Sequence, residues 1–288
     1  MSKIISLGDL VSEISNGTSI VIGGWGQIRK PMAILRELVR SGKKDLTVMS
    51  FAGIDVDLLI GANAVKKVIY PFAGFEVAPV TLGNFRRARQ EGLIDFVDLC
   101  ENMFISGFKA AAERLPFYPT RGGLGSDILE MNPDIQIIES PYTKEKLVAM
   151  YALEPDIAII HVNAADKHGN CQIVGDPFFD YIFAKAAKKV FVSCERIVDT
   201  ESINQKYEQV VIHPPWVTGI LELPYGAHPG LCYPDYKVDQ AHVAEYSKST
   251  ADPQIFETYL QKYIRGVTLD DQYLESIGGP DRLAALKA

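Results

Sequence analysis

The stretch that most constrains this fold is Ser19-Ile20-Val21-Ile22-Gly23-Gly24-Trp25-Gly26, followed by Pro31 and the run Met32 to Arg40. Ser19 to Ile22 is rich in β-branched residues and reads as a buried strand. Three glycines among four residues then turn the chain. Pro31 opens a helix, because its missing N–H has no intrahelical partner in a first turn. Gly42 closes that helix, where a left-handed residue is often needed. Strand, glycine turn and helix together open a βαβ unit. The glycines let backbone N–H groups approach a ligand, and a helix N-terminus favours an anion or a polarised carbonyl. Arg29 and Lys30 add positive charge there. The plainer reading, a tight turn under a helix, stays open. The dinucleotide fingerprint G-x-G-x-x-G is not met, since Arg29 stands where its last glycine belongs.

Downstream, strands and helices alternate. Leu7, Leu10, Val11 and Ile14 predict an amphipathic helix over residues 4–15, closed by Asn16-Gly17. Strands are predicted at Asp45–Phe51, within Val65–Phe72, at Phe96–Cys100, Asp156–Val162, Val190–Ser193 and Val217–Glu222. Helices are predicted over Asp55–Asn63, Phe85–Gly92, Phe104–Arg114, Tyr181–Lys188 and the tail from Asp252 to Ala288. Ile135–Ser140 and Lys146–Tyr151 read as an antiparallel insertion, and Asn163–Asn170 as a polar loop. The pattern predicts an open α/β fold, a mainly parallel sheet with helices on both faces, in a single domain over residues 1–288. Ligands of such sheets sit at the carboxyl ends of the strands. The turns at Gly23–Gly26, Ala52-Gly53, Phe72–Gly74 and Glu101 should share that edge.

A net charge of −7 on 288 residues argues against general nucleic-acid affinity, while leaving room for a local basic pocket. No apolar run approaches the roughly 20 residues that span a bilayer, and the first residues lack a signal-peptide core. A cytoplasmic location is expected. The four cysteines (Cys100, Cys171, Cys194 and Cys232) are far apart and read as buried free thiols. The scattered histidines suggest neither a metal site nor a triad, and His161, His168 and His228 read as satisfied core or loop residues.

Glu101 is the candidate catalytic residue. It directly follows a buried strand in a stretch poor in charge, Leu99-Cys100-Glu101-Asn102-Met103-Phe104. Partial desolvation there should raise its pKa and make it a usable base or nucleophile. The alternative is a first-turn carboxylate that stabilises the following helix. A second glycine loop, Arg121-Gly122-Gly123-Leu124-Gly125-Ser126, is suited to cradle an anionic group. It matches neither a P-loop nor a G-x-S-x-G elbow.

Several motifs in order along the chain resemble the α subunits of family I CoA-transferases. They are Asn16-Gly17 with Ile20 to Trp25 and Pro31, Ala110-Ala111-Ala112 with Leu115-Pro116-Phe117, Asp156 to His161, Cys194-Glu195 with Ile197-Val198, and Tyr225 to Pro229 with Cys232-Tyr233. Arg29-Lys30-Pro31 is similar to the variant in glutaconate CoA-transferase α subunits. Trp25 and Arg29 depart from the family's usual phenylalanine and glycine. The resemblance implies a homologous β subunit, an active site at the α/β contact, an acyl-CoA substrate and no further cofactor. A doubled pair, α2β2, is the natural symmetric assembly.

One branch, the ring-opening CoA hydrolases of steroid catabolism, looks closer. It shares Gly24-Trp25-Gly26, Arg29 to Ala33, Arg121 with Gly123 to Ser126, Asp176-Pro177 with Phe179-Asp180, and a glutamate where Glu101 stands. That resemblance implies hydrolytic cleavage of a cyclic oxo-acyl-CoA, with Glu101 activating water. Gly24, Trp25, Gly26, Arg29, Asn102, Arg121, Gly122, Gly123, Gly125 and Ser126 would then contact substrate. Backbone N–H groups near Gly24 to Gly26 or Gly122 to Gly125 would hold the oxyanion, and Arg29 or Arg121 a substrate carboxylate. Two alternatives remain: CoA transfer with the nucleophilic glutamate on the β subunit, and a non-catalytic acyl-CoA-binding subunit.

Overall fold

The computed structural model describes residues 2–75, 80–268 and 270–287. The first half runs α1 (Leu7–Ser12), β1 (Ser19–Ile22), α2 (Met32–Arg40), β2 (Leu46–Met49), α3 (Ile54–Gly61), β3 (Val65–Tyr70), α4 (Gly83–Glu91), β4 (Asp95–Asp98) and α5 (Glu101–Ala112). Next come β5 (Phe117–Thr120), α6 (Ile128–Met131), β6 (Gln136–Glu139) and β7 (Lys146–Tyr151). The chain returns through β8 (Ile157–Ala165), β9 (Cys171–Gln172), α7 (Asp180–Ala186), β10 (Lys189–Ile197), α8 (Thr200–Asn204), β11 (Val210–Ile212) and β12 (Gly219–Glu222). The helices α9 (Gln240–Ser249), α10 (Pro253–Leu260), α11 (Asp270–Ser276) and α12 (Gly279–Leu286) close it.

β12, β10, β8, β1, β2, β3 and β4 lie side by side and parallel, with β9 antiparallel to β8 and β11 antiparallel to β9. Side chains alternate across this sheet. Ile20 and Ile22 of β1 enter a core under α1, α2, α3 and the C-terminal helices, while Val21 enters a second core under α5 and α7. Helices therefore cover both faces, as the alternating pattern predicts. β5, β7 and β6 form a separate antiparallel sheet that packs on α5, which is the predicted insertion enlarged by one strand.

The differences from the sequence reading have local causes. α1 begins only at Leu7, because Ser6 caps it in a reciprocal capping box with Asp9. Before it, the backbone of Lys3 and Ile5 hydrogen-bonds to Ile220, at the end of the sheet. β8 runs on to Ala165, so residues 163–165 are buried strand rather than polar loop. Asn163 tolerates that burial by bonding the Tyr233 carbonyl, Asp235 and the Val174 N–H. α5 starts at Glu101, three residues before the predicted start. The tail is helical as expected in its described part; Leu269 and Ala288 lie outside the described residues.

The C-terminal helices are fastened by buried polar groups. Arg36 on α2 holds Asp270 of α11 through two nitrogens at 2.8 and 3.0 Å and donates to the His228 carbonyl at 2.9 Å. Its guanidinium also lies 3.7 Å from the Tyr273 ring centroid. Removing one partner of such a buried pair costs about 3–5 kcal/mol. Arg36→Met should lower unfolding stability by that order, read from urea titration, while Lys66→Met on the exposed part of β3 should change it little.

Burial among His228 and other cationic neighbours pushes the His242 imidazole down to about 3, so the fold holds it neutral. An unfolded histidine takes up its proton near 6.5. His242 therefore contributes stability above about 6.5 that is lost as pH falls toward 3, by at most about 1.4 kcal/mol per pH unit. Asp57, raised by burial to about 6, works in the opposite sense: its contribution is lost as pH rises from its unfolded value through 6. Comparing the chain with its His242→Gln variant isolates the histidine. The variant's stability should fall less steeply between pH 6.5 and 3.

Candidate active site

The carboxyl ends of β1, β2 and β3 meet backbone to backbone. Gly24 (φ +73°) and Gly26 (φ +52°) are left-handed, and a Cβ on Gly24 would stand 2.2 Å from the Ile28 carbonyl oxygen. Gly53, after β2, would place a Cβ 2.7 Å from the Gly26 oxygen and 3.3 Å from the Gly74 oxygen. Three turns thus meet backbone against backbone at a buried edge, with Asp55 Oδ1 accepting the Gly53 N–H at 2.6 Å. Trp25 and Ile28 exchange both backbone hydrogen bonds, at 3.1 and 2.7 Å, which fixes the crook of the first turn.

The two cations of that turn do not face a ligand. Arg29, expected to hold a substrate carboxylate, is only 1% exposed. Its guanidinium bonds Asp180 at 2.6 Å, the Asp176 carbonyl at 2.8 Å and the His161 carbonyl at 3.3 Å. Lys30 is also buried, against Asp55 at 3.1 Å and the Ser50 hydroxyl at 2.8 Å. Its desolvation lowers the ammonium pKa, and Asp55 partly restores it. Gly24, expected to offer its N–H to an oxyanion, donates it to Asp180 at 2.7 Å instead. Short-range sequence cannot show this, because Asp180 arrives from far along the chain.

Glu101 is the first residue of α5 and its side chain is exposed. The predicted desolvation is therefore absent from this chain: β4 is an edge strand, and among the described residues the start of α5 that follows it, Glu101 and Asn102, stays exposed. The second glycine loop does pack beside it. Thr120 donates to Asn102 Oδ1 and accepts the Gly122 N–H at 3.1 Å. A Cβ on Gly122 would sit 2.9 Å from Asn102 Oδ1, and one on left-handed Gly123 would sit 2.6 Å from Met103 Sδ. Gly125 is left-handed as well, and Ser126 turns its hydroxyl back to the Gly123 carbonyl at 2.8 Å. Leu124 and Ser126 spend their N–H groups inside the loop. Arg121 is 76% exposed and reaches both Glu145 oxygens from one guanidinium nitrogen, at 2.8 and 3.0 Å, an exposed contact that solvent screens.

The structure thus brings Glu101, Asn102, Gly122 and Gly123 together at one end of the sheet edge, and Gly24, Trp25 and Gly26 at the other. Three strand spacings, roughly 15 Å, separate β1 from β4. Aromatic rings bridge part of that gap: Trp25 stacks on Phe51 at 4.3 Å, and Phe51 meets Phe104 of α5 edge-on at 5.2 Å.

One polar cluster escapes the sequence reading. His161 on β8 is fully buried, with Nδ1 2.8 Å from Ser193 Oγ and Nε2 2.6 Å from Glu195 Oε1. Glu195 also accepts from the Tyr236 hydroxyl and the Tyr225 N–H. The available signal is period-two spacing, since Ser193 and Glu195 lie on one face of β10 and Ser193 is in register with His161. The order serine, histidine, glutamate looks like a triad, but Ser193 has no exposure through which a substrate could reach it. His161, Glu195 and Cys232 also hold donor atoms within 4.8 Å of one another. Each of these already has a protein partner, Cys232 through the Asn163 amide at 3.4 Å. The four cysteines are free thiols, and burial pushes that of Cys194 up to about 12.

If Arg29 is a structural clamp, Arg29→Met leaves Asp180 buried and unpaired, and stability falls by about 3–5 kcal/mol in urea titration. A residue that only held substrate would leave the unfolding curve where it is.

The chain matches the coenzyme A transferase family model over residues 4–221. It is 40% identical over 279 residues to the cholesterol ring-cleaving hydrolase IpdA subunit of Rhodococcus jostii, covering 94% of each chain. It is 31% identical to the A-type subunit of glutaconate CoA-transferase from Acidaminococcus fermentans, over all of this chain and 95% of that one. The crystal structure of that transferase superposes with a TM-score of 0.93 over 100% of this chain and 96% of the other. The fold, the glycine-lined strand edge and these likenesses have one conclusion: the chain belongs to the coenzyme A transferase family.

Proposed function

We propose that this chain is the α subunit of a two-subunit hydrolase that opens the ring of a cyclic oxo-acyl-CoA. The observation that carries the reading is Glu101: an exposed carboxylate at the first position of α5, whose next two residues, Asn102 and Met103, pack against Gly122 and Gly123. A relative at 40% identity bears the name of a ring-cleaving hydrolase subunit. In this reading Glu101 takes a proton from water as the oxygen adds to a ring ketone. The tetrahedral adduct then collapses, the ring carbon–carbon bond breaks, and its electron pair leaves on the carbon next to a carbonyl. Glu101 returns the proton to that carbon, and the product is an open-chain acid still carrying CoA.

The residues offer the parts this chemistry needs. Gly123 lies against the first turn of α5, and the N–H groups of a first turn have no partner within their own helix. Such donors, held rigidly, stabilise a developing oxyanion. Asn102 is fixed by Thr120, and the exposed Arg121 can exchange Glu145 for a substrate anion. CoA arrives on the substrate, so no separate cofactor is invoked. Water exclusion and desolvation of Glu101 fall to a homologous β subunit in an α2β2 assembly, consistent with relatives that are themselves named as subunits. Among the described residues no helix is long and apolar enough to cross a membrane, which suits a cytoplasmic enzyme.

CoA transfer between carboxylic acids is the second reading, favoured by the fit to glutaconate CoA-transferase. There the partner would supply the glutamyl nucleophile, and Glu101 would only shape the pocket.

Glu101→Gln in the assembled complex separates the two. Loss of a general base should cut turnover about 10²–10⁴-fold, while the exposed position keeps stability within about 0.5 kcal/mol. Steady-state kinetics with a cyclic oxo-acyl-CoA, alongside thermal unfolding, check both. Unchanged turnover would remove Glu101 from the chemistry.

A further inference from the structure

The clamp formed by Arg29 does more than neutralise a charge. Asp180 and the Asp176 carbonyl, its two closest acceptors, bracket Phe178. Asp176 also caps the Phe178 N–H at 2.8 Å, and the guanidinium lies 5.8 Å from the Phe178 ring centroid. Phe178 is thereby held at φ +48°, a left-handed backbone that a bulky residue seldom adopts. Strain of this kind persists where surrounding contacts impose it, and it clusters at functional sites. Its consequence here is geometric. The Phe178 ring stands 5.5 Å from Trp25, with 23° between planes, and Phe72 flanks the same indole at 6.2 Å and 23°. Phe51 backs Trp25 from the core. Trp25, Phe72 and Phe178 are each only partly buried, so this layer of near-parallel rings reaches the surface beside Gly26, Gly53 and Gly74.

We propose that Phe178, with Trp25 and Phe72, is the specificity wall for the acyl group, selecting a broad apolar ring skeleton over short or charged acyl chains. The proposal rests on the acyl-CoA reading above and adds to it which residues choose the acyl group. Three observations carry it. The exposed edges are aromatic, and aromatic faces line sites for apolar ligands. The adjoining glycine turns pack backbone against backbone, a Cβ on Gly53 standing 2.7 Å from the Gly26 oxygen, which gives the rings a fixed footing at this edge. Both cations of the turn are spent on Asp180 and Asp55, so a second carboxylate on the acyl group would meet no counter-ion there. Arg29 is in this account a positioning residue for Phe178.

The test uses the complex with its partner, labelled with 5-fluorotryptophan. The fluorine resonance that vanishes in Trp25→Phe belongs to Trp25. Bicyclic decalin-carboxyl-CoA, glutaryl-CoA and acetyl-CoA are titrated separately, and affinities are measured by calorimetry. The bicyclic ester should shift the Trp25 resonance strongly and bind at least tenfold more tightly than glutaryl-CoA. Phe178→Gly removes the ring while keeping a residue at home in left-handed backbone. It should erase that preference and leave acetyl-CoA affinity within twofold, and Phe178→Tyr should restore the preference. An unmoved Trp25 resonance on binding of the bicyclic ester would overturn the proposal. So would an equal loss for all three esters in Phe178→Gly, or the absence of binding by any of them. A bicyclic ester that shifts Trp25 and is held through Phe178, while cyclic oxo-acyl-CoAs are never opened, would sustain the wall and remove the hydrolase reading.

Discussion

The buried pair of Arg29 and Asp180 is the constraint on which the sheet edge depends. Asp180 accepts from the guanidinium and from the Gly24 N–H, and one of its oxygens lies 2.9 Å from where a Cβ on Gly23 would stand. The carboxylate therefore makes Gly23 necessary, holds the Gly24 N–H and ties the first βα turn to the start of α7. A buried ion pair adds little net stability over apolar packing, but losing one member is costly. Its value here is geometric: it sets the β1 turn against the 176–180 loop, and both face the strand ends where ligands of this fold class bind. It also fixes the site's electrostatics. A turn whose sequence reads as cationic presents neutral backbone and aromatic rings.

Much of the fold was legible because its signals are local. The β-branched run Ser19–Ile22, the Pro31 start and the left-handed Gly42 all depend on the chain's own stereochemistry, and the structure has them where the sequence predicts. The antiparallel insertion was legible for the same reason. α9 was not, since its surface is mostly polar and its apolar contacts, Val243 and Tyr246, are too few to declare a period. The end of β8 misled because buried Asn163 reads as a loop residue until its partners from the 233–235 turn are known.

The candidate site was legible in part. Glycines and Glu101 announced the strand ends, and the parallel order of β1 to β4 places them on one edge. What Arg29 does was not legible, because its role is decided by Asp180 across a large sequence separation. The expected desolvation of Glu101 failed for a related reason. Burial belongs to the tertiary surroundings, and at an edge strand followed by an exposed first helical turn this chain provides little. The same exposure makes sense of a two-chain assembly: half of a site can stay wet until its partner closes over it.

The central claim is that water, activated by Glu101, is the nucleophile. The most direct measurement is to turn over a cyclic oxo-acyl-CoA in 18O-water with the assembled complex and no acceptor carboxylate, and to weigh the products by mass spectrometry. The account predicts a ring-opened acyl-CoA carrying one water-derived oxygen in its new carboxylate. A reaction that waits for an added carboxylate, and then yields that carboxylate's CoA ester with the ring intact, would contradict it.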